Sequence, residues 1–146
     1  LNFPFSNLKE IRRCGGWKGV TLMVQVIVDN PIGMHVVLDL YECDPQILDD
    51  IEKIEEILTE AAEVANATVI DKRFHKFSPQ GVSGVVVVSE SHIAIHTWPE
   101  HGYAAVDVYT CGNHTMPLKA SEYIIRKLKC KRPTLVKLDR GLLFKG

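Results

Sequence analysis

No run in this 146-residue chain stays apolar for the roughly 20 residues that a membrane-spanning helix needs. The longest candidate, residues 20–28, is broken by Thr21 and Gln25. Mixed and polar residues precede it and no small-residue cleavage site follows, so it does not read as a secretory leader either. An excess of one charge is missing too: 17 Lys and Arg stand against 18 Asp and Glu, a net −1 with His neutral. No basic field gathers nucleic acid, and no polybasic tail meets an anionic membrane. The cysteines Cys14, Cys43, Cys111 and Cys130 form no CxxC pair and do not cluster as a zinc site requires. Their even number allows two disulfides, but free thiols are the preferred reading for a chain without secretory signals. No repeat, low-complexity tract or interdomain linker is present. The expectation is a cytoplasmic protein of one domain spanning residues 1–146, with neither membrane nor nucleic acid as partner.

Strand-like and helix-like periods alternate through most of the chain. Residues 35–43 (HVVLDLYEC) are rich in β-branched and apolar side chains and predict a strand. Asp44 and Pro45 then supply an N-cap and a first helical residue. Ile47, Ile51, Ile54, Leu58, Ala61 and Ala65 recur at steps of four and three, one apolar stripe predicting a helix to about Asn66. Strands are predicted over 68–77, 84–90, 92–98, 103–110 and 133–138, and a second helix over 117–128. Residues 85–88 are apolar on both faces, which predicts a central strand. Residues 1–32 fit least well: 19–29 suits a strand, and Cys14-Gly15-Gly16-Trp17 has no assignable role. The sum is an α+β fold, a two-layer sandwich of a mostly antiparallel sheet with two helices on one face.

The chemistry-bearing residues concentrate in Glu90-Ser91-His92-Ile93-Ala94-Ile95-His96-Thr97-Trp98-Pro99-Glu100, followed by Cys111 in Tyr109-Thr110-Cys111-Gly112. A serine, two histidines, two carboxylates and a thiol in strand-like sequence are the parts of a covalent active site. Taken singly, each has an ordinary reading. Ser91 is a polar residue at a strand end, Cys111 a small buried hydrophobe, and Trp98 a core aromatic. Glu42 and Asp107 could pair as acid and base or simply lie on solvated strand faces. His92 and His96, with His101, His114 and Cys111 nearby, could hold zinc. Four residues along a strand span about 13 Å, however, which is too far for one ion.

Taken together, the run resembles the small prokaryotic S-adenosylmethionine decarboxylase proenzymes, from about residue 33 to 131. Leu40-Tyr41-Glu42-Cys43-Asp44 and Tyr103-Ala104-Ala105-Val106-Asp107-Val108-Tyr109 extend the likeness. The resemblance implies a domain core over 33–138, and a self-cleavage between Glu90 and Ser91 into chains 1–90 and 91–146. Ser91 would become a pyruvoyl group that forms the Schiff base with substrate. His96 would be the proton acceptor in processing, Cys111 the proton donor in decarboxylation, and Ser83 an aid to processing. Phe77, Trp98 and Glu100 would line the substrate site. No metal is implied. The implied partners are S-adenosylmethionine and a second copy, in an (αβ)2 dimer packed sheet to sheet with the active sites at its interface. The implied product is the aminopropyl donor for spermidine synthesis. Two alternatives stand beside it: a pyruvoyl-dependent arginine or ornithine decarboxylase of the same family, and an uncleaved regulatory partner without catalysis. One internal tension is visible. Ser91 and His96 differ by an odd number, so a regular strand would turn them to opposite faces unless the backbone bulges or Ser91 sits at the strand end.

Overall fold

The computed structural model describes residues 8–13, 22–28, 31–89, 91–112 and 114–142. In chain order these form β1 (Leu8–Arg13), β2 (Leu22–Val28), β3 (Pro31–Tyr41), α1 (Pro45–Leu48), α2 (Ile51–Val64), β4 (Val69–Lys76), β5 (Val82–Val88) and β6 (Ser91–Trp98). A 3-10 turn (Pro99–His101), β7 (Tyr103–Cys111), α3 (Pro117–Lys127) and β8 (Arg132–Leu142) follow. One sheet holds the strands in the order β1-β2-β8-β3-β7-β6-β5-β4. From β8 through β4 every pairing is antiparallel. β2 joins β8 in parallel, and β1 pairs antiparallel with β2. The α+β two-layer architecture is the expected one, extended at one edge by β1 and β2. Only β2 had a strand-like signal in sequence; Cys14 to Trp17 lie outside the described residues.

Alternation sets which face is covered. Val36, Leu38 and Leu40 of β3, Val82, Val86 and Val88 of β5, Ile93 and Ile95 of β6, and Ala104, Val106 and Val108 of β7 are all buried. They meet Ile54, Ile57, Leu58, Ala61 and Ala62 of α2 and Ala120 and Ile124 of α3. Each fully buried Leu or Ile contributes on the order of 1.5–3 kcal/mol relative to exposure, so this layer holds the sheet flat against the helices. Among the described residues the opposite face carries no helix.

Residues 44–66 are two helices rather than the one expected. Asp44 caps α1, its carboxylate accepting from Gln46 N at 3.0 Å, with Pro45 at the first position as expected. The chain then restarts: Asp50 has extended backbone and its carboxylate accepts from Lys53 N at 3.0 Å, capping α2. An aspartate that bonds the backbone locally competes with helix continuation, and the unbroken apolar stripe conceals the break. α2 ends as expected, with Asn66 in the left-handed region at φ 58°. Residues 85–88 also differ in place. β5 is next to the edge strand β4 rather than central, and Val87 is 38% exposed on the helix-free face. Its two apolar faces are real, but this chain covers only one.

Buried Thr97 ties α1 to the sheet. Its hydroxyl accepts from Val82 N at 2.8 Å and lies 2.8 Å from Leu48 O, to which it donates. That fixes the backbone between His96 and Trp98.

Candidate active site

β6 alternates strictly. Ile93, Ile95 and Thr97 are buried under the helices, while His92, Ala94, His96 and Trp98 face the other way. Its register with β5 is unbroken from Val88↔Ser91 to Ser83↔His96. No bulge therefore rotates Ser91 toward His96. Ser91 is the first residue of the strand, and His96 stands about 16 Å further along it. Within one chain the structure does not bring these two together.

It brings each to a different companion. At one end of the helix-free face, Ser83 Oγ and His96 Nδ1 are 2.7 Å apart across the β5–β6 pair. His75 lies opposite Ser83 on β4. Beside them opens a hollow of about 300 Å³ whose lining includes Arg73, His75, Ser83 and His96. Phe77 and Trp98 are 47% and 40% exposed there, and the His96 and Trp98 rings are 6.4 Å apart. Glu100 accepts from Gln80 Nε2 at 3.0 Å. The turn after β4 is pinned by Asp49, which accepts from Gly81 N at 2.8 Å and pairs with Lys76. Those two bonds, the Lys76 one first, hold the Asp49 carboxyl below its usual range against the opposing effect of burial. Ser83, His96, Phe77, Trp98 and Glu100 thus form one group.

At the other end, Ser91 Oγ accepts from Cys111 N at 3.0 Å. Glu90, the residue before it, lies outside the described residues. A side chain on Gly33 would place its Cβ 2.9 Å from the Tyr109 hydroxyl and 3.0 Å from Cys111 Sγ, so glycine leaves the space in which those groups meet. Around them sit residues the motif did not single out. His35 Nδ1 accepts from Arg140 at 3.0 Å, since guanidinium can only donate. Nε2 of His35 therefore carries the proton it donates to Asp107 Oδ1 at 2.9 Å. Asp107 is thus a partner of His35, while Glu42 faces Arg132 at 3.7 Å; the two carboxylates weighed as a pair are apart. Strand alternation was the available signal, because His35, His92, Asp107, Tyr109 and Cys111 all fall opposite the buried series. Among the described residues no three His, Cys, Asp or Glu side chains converge on one point as a metal site would need. Cys43, Cys111 and Cys130 are free thiols.

Ser91, Cys111 and the Ser83–His96 pair all lie within the part of the chain that resembles known proteins. Residues 34–141 match the family described as S-adenosylmethionine decarboxylase. The chain belongs to that family. It is 51% identical over 112 residues to an S-adenosylmethionine decarboxylase proenzyme of Thermodesulfovibrio yellowstonii, covering 77% of this chain and 83% of that one. It is 53% identical over 116 residues to the proenzyme of the same name from Caldanaerobacter subterraneus subsp. tengcongensis, covering 80% and 94%. The crystal structure of the adenosylmethionine decarboxylase from Aquifex aeolicus superposes with a TM-score of 0.75 at 42% identity, covering 80% of this chain and 96% of that one. The family match begins at residue 34, so β1 and β2 lie before it. Among the described residues no helix is long and apolar enough to cross a membrane.

Proposed function

We propose that the chain is a proenzyme that cuts itself between Glu90 and Ser91, converts Ser91 to a pyruvoyl group and decarboxylates S-adenosylmethionine. The observation that carries this reading is the Ser91 hydroxyl held 3.0 Å from Cys111 N, with the Cys111 thiol on the adjoining strand. The hydroxyl is fixed on the first residue of β6, paired with Val88 of β5, and the residue that precedes it in sequence supplies the carbonyl it must attack. Attack on the Glu90 carbonyl exchanges the peptide for an ester, removal of the Ser91 Cα proton opens that ester to leave a dehydroalanine, and uptake of water with loss of ammonia turns this into the pyruvoyl. A pyruvoyl group made there supplies an electron-accepting carbonyl to a substrate amine. The residues fit it, since the site offers a backbone N–H donor at the serine and an acid within reach. Cys111 holds the proton that the substrate carbon takes up after carbon dioxide leaves.

The base comes from a second copy. The helix-free face exposes Phe77, Val87 and Trp98, apolar area that a sheet-to-sheet dimer covers. A two-fold axis running across the strands lays one copy's Ser83–His96 end over the other's Ser91–Cys111 end. His96 of the partner subunit then acts as proton acceptor for Ser91, assisted by Ser83 of the partner subunit. Phe77, Trp98 and Glu100 from that same end wall the substrate: an aromatic face suits adenine and the sulfonium, and a carboxylate suits the ribose hydroxyls. That combination favours S-adenosylmethionine over arginine or ornithine, which offer no ring to stack. The intact Ser91, His96 and Cys111 set argues against an uncleaved regulatory partner.

Purified protein should separate under denaturing conditions into residues 1–90 and 91–146, the second blocked at its N-terminus, and release carbon dioxide from carboxyl-labelled S-adenosylmethionine. The Ser91→Ala chain should stay whole. A wild-type chain that keeps an unmodified serine after long incubation rules the proposal out.

A further inference from the structure

Two cysteines with no part in the chemistry described so far lie together where β3 ends and β8 begins. β3 pairs with β8 as Leu40↔Pro133 and Tyr41↔Arg132, and two steps further along each segment come Cys43 and Cys130. Contacts on both sides of Cys43 keep the segments side by side there. Cys130 Sγ donates to Tyr41 O at 3.2 Å, and Asp44 N donates to Leu128 O at 3.1 Å. Lys129 Nζ adds an ion pair to Asp44 at 2.9 Å. Each thiol also answers to the other: Cys130 pushes the Cys43 thiol above the ordinary range, and Cys43 draws the Cys130 thiol below it. Cys43 is 5% exposed, whereas Cys130 is half-buried. We propose that Cys43 and Cys130 are a modification site, closing to a reversible disulfide by exchange with a low-molecular-weight disulfide.

Cys130, the more open of the two, attacks one sulfur of the small disulfide, and the other sulfur leaves with the electron pair of the broken bond. Cys43 then attacks the mixed disulfide at Cys130 and expels the second small thiol. The two protein thiols are oxidised, the small disulfide is reduced to two thiols, and the protons of Cys43 and Cys130 pass to the leaving sulfurs. Antiparallel neighbours stand about 4.5–5.5 Å apart between Cα atoms, inside the roughly 4.4–6.8 Å that a disulfide spans. Cys111 has no share in this, since it pairs with Gly33 at the opposite end of β3. The new bond would cross the cut. Cys43 falls in residues 1–90 and Cys130 in residues 91–146, so the disulfide would tie together the two pieces that cleavage at Ser91 leaves. That consequence rests on the proposed self-cleavage, whereas the disulfide itself does not.

The test treats wild-type protein and its Ser91→Ala variant, which cannot be cut, with glutathione disulfide. Remaining thiols are then blocked with iodoacetamide and the peptides mapped by mass spectrometry without reduction. In both proteins alkylation of Cys43 and of Cys130 should be lost together, and a Cys43 peptide should appear joined to a Cys130 peptide until dithiothreitol parts them. On a non-reducing denaturing gel, oxidised wild type should run as one band and split in two after dithiothreitol. Cys130→Ser should give two bands in either case. Alkylated Cys43 and Cys130 after oxidation, glutathione retained on Cys130, or either cysteine joined to Cys14 or Cys111 instead overturns the proposal. A joined Cys43–Cys130 peptide in a wild-type chain that is never cut would sink the self-cleavage reading and leave the disulfide standing.

Discussion

Ser91 and His96 belong to the same strand but stand at opposite ends of it, with an unbroken register through the four residues between them. A base that serves Ser91 from position 96 therefore has to come from another molecule.

Trans action is open to direct test. His96→Ala alone should remain uncut. Co-expressed with Ser91→Ala, which supplies an intact His96 but cannot itself be cut, the His96→Ala copy should be cleaved. Mass spectrometry separates the two chains. Cleavage of His96→Ala alone, or none in the mixture, removes the composite site.

Phe77 stands half in solvent, with the His75 ring 4.7 Å away. Phe77→Ala should leave self-cleavage intact and lower kcat/KM for S-adenosylmethionine by about 1–3 kcal/mol, the worth of one aromatic stack on a base. Undiminished arginine decarboxylation, with no activity on S-adenosylmethionine, would mark the arginine enzyme instead.

Thr97→Val keeps the shape of the side chain and removes its hydroxyl, leaving Val82 N and Leu48 O without their buried partner. Stability should drop by about 1–3 kcal/mol in urea titrations of the unprocessed Ser91→Ala chain. A change within error would mean that other groups satisfy both backbone atoms.

Asp49 gives a pH signature. A carboxyl depressed by folding adds stability above the ordinary carboxylate pKa and loses it as pH falls through the depressed value. Asp49→Asn should therefore melt below wild type at neutral pH, and the gap should narrow as pH falls below the ordinary carboxylate range. A gap that does not change with pH would show that the ion pair with Lys76 contributes nothing.

The sheet and both main helices were legible because their apolar periods are clean: a period of two through β3, β6 and β7, and one continuous stripe through α2. The same stripe hid the break at Asp49 and Asp50, since side chain to backbone bonds leave apolar spacing untouched. At the site, Ser91, His96 and Cys111 stood out by residue type and spacing. The tension between Ser91 and His96 was legible as an odd difference in numbering, but that they serve two ends of the sheet shows only in their different partners. The partner of Asp107 was not legible, because His35 stands 72 residues away and meets it only once β3 pairs with β7.

Strand order also governs what a cut at Ser91 does to the molecule. Residues 1–90 would own β1 to β5 and residues 91–146 would own β6 to β8, but the sheet shuffles them: β8 lies between β2 and β3, and β7 with β6 between β3 and β5. Four borders, β2/β8, β8/β3, β3/β7 and β6/β5, would join one fragment to the other. Neither piece would retain a contiguous sheet, so fragments cut there would stay interlocked by main-chain hydrogen bonds after the peptide link is gone. Once denatured, they must find each other again by collision. An uncut chain would refold by itself, whereas a cleaved form would reassemble only as a second-order process, its recovery falling with dilution.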